Sequence, residues 1–268
     1  MKKNTIVHNT VIHNAVIHNN AFLLLAGFFK ISFIALSTTY RTLKAVTIGK
    51  FSNNSSEIFF KEMKLWASEI VKATGTEIQI QGLENINKNE TYIYIANHTN
   101  LLDIPVLIKA IPDNIHFMYK ESLQKVPMLG FALKNSPFIP IVRENIKNSM
   151  EGINKSVESL KNSGSVIIFP EGSRSKTGEL APFKRGAFMI ASKAEKKIIP
   201  ITIIGIEKIL PADNQLRLTK GIVKVIINKP IEKLSENRTE MMNTIQNLHL
   251  FFAEQIKNEK KFAHIDKI

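Results

Sequence analysis

The sequence predicts an α/β fold: a mostly parallel central sheet covered by helices, preceded by an apolar helical segment at the N-terminus. Three observations lead there. After Gly75, runs rich in Ile, Val, Tyr and Phe alternate with longer amphipathic ones, the rhythm of a largely parallel sheet with helical cover. Two of these runs, residues 91–96 and 165–169, each deliver a short polar loop. Residues 21–39 are the most apolar stretch of the chain and lie ahead of the alternating part. A length of 268 residues suits one large α/β domain with an appendage.

In chain order, residues 1–20 carry a Val-(Ile)-His-Asn repeat with His8, His13 and His18 five residues apart. A five-residue step rotates about 140° on a helix and alternates faces on a strand, so the histidines do not converge on a metal. The stretch reads as a low-complexity tail, disordered or membrane-adjacent, and not as a signal peptide, since its apolar run begins late. Residues 21–39 are about long enough for a hydrocarbon core of ~30 Å. Lys30 in the middle opposes a simple span, at a cost of roughly 3 kcal/mol. Three readings stay open: a span with Lys30 facing protein or snorkelling, a helix embedded in one leaflet, or a buried core helix. From 55 to 73, Ile58, Phe59, Phe60, Met63, Trp66, Ile70 and Val71 make an amphipathic helix, so residues 21–75 are expected as a membrane-associating helical hairpin.

Residues 76–232 are expected to form the catalytic domain. Strands are predicted at 77–81, 91–96, 115–119, 138–142, 165–169, 198–204 and 223–228, and helices at 104–110, 121–134, 144–162 and 186–193. Residues 233–268 are a C-terminal helix, predicted over 238–260, and a polar tail.

The chain has no cysteine, which excludes disulfides, cysteine–zinc sites and thiol nucleophiles and fits a reducing compartment. The net charge of +13 points to an anionic partner: nucleic acid, a membrane surface or an anionic substrate. No helix-turn-helix, zinc-finger or aromatic RNA-binding signature occurs, so no nucleic-acid partner is expected.

The first loop that carries chemistry is Asn97-His98-Thr99-Asn100-Leu101-Leu102-Asp103. A histidine followed within a turn by an acid can form a general base, the carboxylate fixing the tautomer and orientation of the ring. The second is Phe169-Pro170-Glu171-Gly172-Ser173-Arg174-Ser175, which leaves a strand at the same kind of end, where α/β sheets bind ligands. Glu171, Ser173, Arg174 and the close-approach Gly172 suit a phosphate and polyol ligand. Arg143 follows a third strand run, and Phe183-Lys184-Arg185-Gly186 opens a helix where an anion is favoured. Read from the residues alone, each of these later sites has a plain alternative as a turn or a surface charge.

Taken together, His98 and Asp103 with four residues between them, Arg143, the 169–175 block and Pro200 in Ile199-Pro200-Ile201 stand in the order and spacing of the four blocks of the glycerolipid acyltransferases. Over roughly residues 76–230 the chain resembles the bacterial 1-acylglycerol-3-phosphate acyltransferases. Ser173 stands where that family usually has Thr, which keeps the hydroxyl. Pro137 stands where the second block normally opens with Gly. The resemblance implies transfer of an acyl chain from acyl carrier protein or acyl-CoA to the sn-2 hydroxyl of lysophosphatidic acid, giving phosphatidic acid. It assigns His98 as base and Asp103 as its orienter, Glu171 and Gly172 to the glycerol backbone, and Arg174 and Arg143 to the phosphate. Lys120, which follows a strand, is a further candidate for the phosphate or the oxyanion. No cofactor and no metal are implied. The lipid substrate makes an anionic phospholipid membrane the expected partner surface of the N-terminal segment, at the cytoplasmic face of the inner membrane. Other acceptors, among them glycerol 3-phosphate, another lysophospholipid and a lyso-ornithine lipid, share the same blocks. A non-catalytic basic membrane-binding protein is the alternative of a different class.

Overall fold

A computed structural model of the chain describes residues 2–127, 129–141, 154, 157–158, 161, 164–175, 179–211, 218–232 and 234–265, with side chains from residue 25 to 260. The elements are α1 (Lys2–Lys50), α2 (Ser55–Thr74), β1 (Thr76–Gln81), β2 (Tyr92–Ala96), α3 (Asp103–Ala110), β3 (Ile115–Lys120), α4 (Leu129–Lys134), β4 (Ile139–Ile141), β5 (Ser165–Ile168), α5 (Arg185–Lys193), β6 (Lys197–Ile204), α6 (Ile206–Ile209), β7 (Gly221–Ile227) and α7 (Arg238–Ile265). The seven strands form one sheet in the order β1-β7-β6-β2-β5-β3-β4. Every neighbouring pair is parallel except β6 and β7.

β2 lies in the middle and is buried along its whole length. Its side chains divide between the two faces, as a period of two requires. Tyr92, Tyr94 and Ala96 join the layer built with α2 and α3, and Ile93 and Ile95 join the layer built with α5 and α7. Helices therefore cover both sides of the sheet, and the mostly parallel α/β arrangement expected from the alternation is the one observed.

α1 and α2 form an antiparallel hairpin. Its seam is polar: Arg41 pairs with Glu62 at 2.7 Å and with Glu69, Lys44 meets Glu62 at 2.8 Å, Ser37 Oγ donates to Glu69 at 2.6 Å, and the Trp66 indole donates to Thr38 at 2.9 Å. The hairpin is held to the sheet by α2, whose Phe60, Met63, Ala67 and Ile70 enter the core, and by Ile31 and Ile34 of α1. Lys30, the cation inside the apolar stretch, donates to the Leu218 carbonyl at 3.4 Å, so it faces protein. The opposite side of α1 exposes Leu25, Phe28, Phe29, Phe33, Leu36, Tyr40 and Leu43.

Several expectations change. No helix, among the described residues, is long and apolar enough to cross a membrane. The repeat of residues 1–20 is drawn into α1 rather than forming a separate tail; no Pro or Gly occurs before Gly27 to stop the helix. The helix predicted over 121–134 is two pieces, a 3-10 turn (Glu121–Lys125) and α4. Pro127 divides them, because it lacks an N–H and drives Val126 into the extended region (φ −77°, ψ 124°). The one-turn α6 after Gly205 was not foreseen. Most of the helix predicted over 144–162 lies outside the described residues, as does position 142 at the end of a predicted strand.

Candidate active site

Parallel pairing of β2 with β5, with Ile95 opposite Ile168, makes their two loops leave the sheet side by side. The histidine loop and the Phe169–Ser175 block are thus brought together by register. The contact is direct: Ser175 N–H donates to the His98 carbonyl at 2.9 Å, and His98 N–H donates to Glu171 Oε1 at 2.6 Å.

His98 Nδ1 lies 2.7 Å from Asp103 Oδ2. That same oxygen accepts the Thr99 N–H at 2.6 Å and the Asn100 N–H at 2.9 Å. Asp103 is the first residue of α3 and is wholly buried, while the His98 side chain keeps 15% of its surface exposed. Burial pushes the Asp103 carboxyl up, and the His98 ring and the two backbone N–H groups pull it back toward the anion. With Nδ1 committed to the carboxylate, Nε2 is the ring nitrogen left for chemistry. Phe169 stacks on the imidazole with centroids 4.0 Å apart and planes 16° from parallel, which fixes the ring's other degree of freedom.

Two asparagines hold this loop from behind. Asn97 exchanges two hydrogen bonds with the Ile203 backbone of β6, at 2.9 and 2.8 Å. Asn100 donates to the Ile206 and Leu210 carbonyls and accepts the Leu102 N–H at 2.8 Å. Neither these residues nor Phe169 were picked as site residues from the sequence. The available signal was Asn on both sides of the loop histidine.

Glu171 is 2% exposed, and its second oxygen accepts the Ala181 N–H at 2.8 Å. Burial raises its carboxyl, opposed by the His98 and Ala181 N–H groups. Both oxygens thus bind the chain's own backbone. Gly172 takes φ 71°, a conformation costly for a residue with a Cβ, and its N–H closes a turn on the Phe169 carbonyl at 3.1 Å. Ser173 and Arg174 are exposed beyond that turn. Lys120 ends β3 at the same edge of the sheet, also exposed, two strands from β2. Arg143 lies outside the described residues. Pro200 is buried in β6 opposite Ile95 and belongs to the sheet rather than to the loops. Behind the histidine loop, Asn97, Thr99, Glu171, Leu180, Ile203 and Ile256 line a small cleft that does not include the His98 ring. Among the described residues, no group of three or more His, Asp or Glu could hold a metal ion.

Residues 77–204 match the family model described as Acyltransferase. These residues are similar to an acyltransferase-family domain. The domain spans β1 to β6 and contains the histidine loop and the Glu171 loop whole. Among curated proteins, the chain is 38% identical over 169 residues to the chloroplastic 1-acyl-sn-glycerol-3-phosphate acyltransferase BAT2 of Brassica napus, covering 63% of this chain and 48% of that one. It is 32% identical over 189 residues to the 1-acyl-sn-glycerol-3-phosphate acyltransferase of Saccharomyces cerevisiae, covering 69% and 59%. It is 38% identical over 130 residues to that of Helicobacter pylori, covering 47% and 55%. The chain therefore spans about half the length of the curated relatives it matches. Among solved structures, the 1-acyl-sn-glycerophosphate acyltransferase PlsC of Thermotoga maritima superposes with a TM-score of 0.73 at 22% identity, covering 90% of this chain and 96% of that one, so the chain shares that fold.

Proposed function

We propose that the chain transfers an acyl group from a thioester, carried by acyl carrier protein or coenzyme A, to the sn-2 hydroxyl of 1-acylglycerol 3-phosphate. The observation that carries the reading is the His98–Asp103 pair, buried on the acid's side and open on the ring's, at the strand ends of a domain similar to the acyltransferase family. His98 Nε2 takes the hydroxyl proton as the new C–O bond forms at the thioester carbonyl. The C–S bond then breaks, and the imidazolium returns the proton to the departing thiol. Asp103 holds the tautomer and stabilises the cationic ring. General base catalysis of this kind contributes on the order of 10²–10⁴ in rate, and positioning and oxyanion stabilisation supply the rest. The pathway needs no serine or cysteine nucleophile and hence no acyl-enzyme.

Arg174, on the exposed side of the Gly172 turn, and Arg143 are the proposed phosphate partners, with Lys120 as a third cation at the same sheet edge and Ser173 a hydroxyl contact. Gly172 lets the backbone approach the glycerol. Glu171 supports the site by holding the His98 loop. The apolar stripe of α1, Leu25 to Leu43, supports a hairpin that lies in one leaflet, on the anionic cytoplasmic face of the inner membrane, where the lipid substrate resides.

An acceptor panel with one acyl donor tests this reading. Transfer to 1-acylglycerol 3-phosphate, lost in His98→Ala with vesicle binding retained, is the expected result. Strong transfer to glycerol 3-phosphate with none to the lysolipid sinks the choice of acceptor.

A further inference from the structure

One apolar surface outside the hairpin stands open beside the site. Between β3 and β4 the chain makes the Glu121–Lys125 turn and α4, which pack on each other. The Gly130 N–H donates to the Val126 carbonyl at 2.7 Å, and a Cβ at Gly130 would lie 2.1 Å from the Gln124 carbonyl oxygen. The inner side of this unit is fixed: Leu133 is buried, and Gln124 Nε2 donates to the Tyr119 hydroxyl at 2.8 Å. The outer side is apolar. Leu123, Val126, Leu129 and Phe131 are 37%, 44%, 42% and 46% exposed, with exposed Lys125 and Lys134 at its margins. Scattered exposed apolar residues need no explanation, but four within nine positions on one rigid unit do.

The unit adjoins the tip of the helical hairpin. Phe138, four residues past α4, meets Phe59 in the first turns of α2 edge-on at 5.6 Å. The turn joining α1 to α2 exposes Phe51 by 89%. The stripe of α1 and the β3–β4 connection therefore approach one corner of the molecule. The connection also leaves β3 at the strand edge that carries His98 and the Glu171 loop.

We propose that this β3–β4 connection is a second lipid-contacting surface. Leu123, Val126, Leu129 and Phe131 enter the acyl boundary of an anionic leaflet, and Lys125 and Lys134 meet its phosphates. The charge is complementary, since the chain carries +13. A single helix lying in a leaflet leaves the body free to roll about the helix axis. A second contact off that axis removes the freedom and holds the strand edge with His98 along the bilayer. The inference rests on the reading that the substrate is a membrane lipid. An acidic carrier protein is the less favoured occupant, because apolar side chains outnumber the lysines and the surface runs toward the apolar stripe of α1.

The test uses the full chain with vesicles of phosphatidylethanolamine and phosphatidylglycerol, against phosphatidylcholine. Leu129→Ser/Phe131→Ser is expected to weaken binding to the anionic vesicles by about tenfold or more. Lys125→Glu/Lys134→Glu is expected to weaken it by about tenfold at low salt and little at high salt. Thermal midpoints should match the parent, and transfer to a short-chain, water-soluble lysolipid should stay within about twofold, the surface lying outside the catalytic loops. Vesicle binding within about twofold of the parent for both variants overturns the proposal. So does unchanged vesicle binding with a raised KM for acyl carrier protein alone, which would make this a carrier-docking surface. If the parent chain acylates no glycerolipid, the proposed function fails, and the ratio of vesicle affinities still decides whether this surface touches lipid.

Discussion

Asp103 Oδ2 receives three donors: the His98 ring and the backbone N–H groups of Thr99 and Asn100. The two backbone bonds would survive in Asp103→Asn if the amide oxygen took that place, but the negative charge that stabilises a cationic ring would not. Transfer should fall by roughly 10²–10⁴ with the melting temperature nearly unchanged, as measured by steady-state kinetics beside calorimetry. Glu171 makes a sharper case. Each of its oxygens accepts a backbone N–H, from His98 and from Ala181. In Glu171→Gln one of those donors must face an amide NH₂, leaving a buried donor unmet at about 1–3 kcal/mol. The loop that presents His98 loosens, so kcat should drop by an order of magnitude or more while KM for the lysolipid moves little. A rise in KM at constant kcat would instead make Glu171 a ligand of the glycerol. The pairing of His98 with Asp103 was legible in the sequence, since both lie in one short loop. The work of Glu171 was not, because its partners are main-chain groups at positions 98 and 181, which no side-chain pattern reveals. Nor was the Phe169 ring over His98, which depends on β2 and β5 being neighbours in the sheet.

The hairpin places charge where the sequence showed only an amphipathic helix. Arg41 stands between Glu62 and Glu69, and Lys44 completes the group. Its Arg41–Glu69 bond holds the Glu69 carboxyl low; for Glu62, burial pushes upward, but the Lys44 and Arg41 hydrogen bonds outweigh it and the net shift is also down. A carboxylate whose folded pKa lies below its unfolded value stabilises the fold above that unfolded value, near 4.3, and loses the contribution as pH falls through the folded pKa. Asp103 and Glu171, raised by burial, act with the opposite sign, so the wild-type acid curve is mixed. The difference between wild type and Arg41→Met isolates the hairpin. That variant should lose about 3 kcal/mol at neutral pH and show a smaller further loss than wild type as pH falls below about 4.3, followed by chemical denaturation. Arg41→Met/Glu62→Leu should recover part of the loss, since it removes a buried charge along with its partner. At this scale the strands were the most legible elements: all seven lie where apolar β-rich runs predicted them. The predicted 121–134 helix breaks at Pro127, which holds Val126 in the extended region.

The sheet order explains why two blocks about seventy positions apart make one site. β5 inserts beside β2, so the loops after both strands open at the same edge, and β3 adds Lys120 to that edge. Strand order is a property of the whole chain and could be read only as a consequence of family likeness. The placement of α1 was less legible still. Lys30 bonds the Leu218 carbonyl, and Ile31 and Ile34 pack on the core, so the helix lies along the domain and turns its other side outward. Leu25, Phe29, Leu36 and Tyr40 fall on that side at helical spacing, with exposures of 57%, 64%, 70% and 58%. A stripe left largely to solvent adds little to folding and much to partition into lipid. Replacing Leu25, Phe29 and Leu36 together with Ser should therefore leave the melting temperature of the sheet within a few degrees of the parent. Burial of those three side chains is worth roughly 1.5–3 kcal/mol each, so vesicle affinity should fall at least a hundredfold, a fall read directly by flotation. A lower melting temperature with unchanged flotation would mean that the stripe is covered by protein and that the hairpin is part of the core.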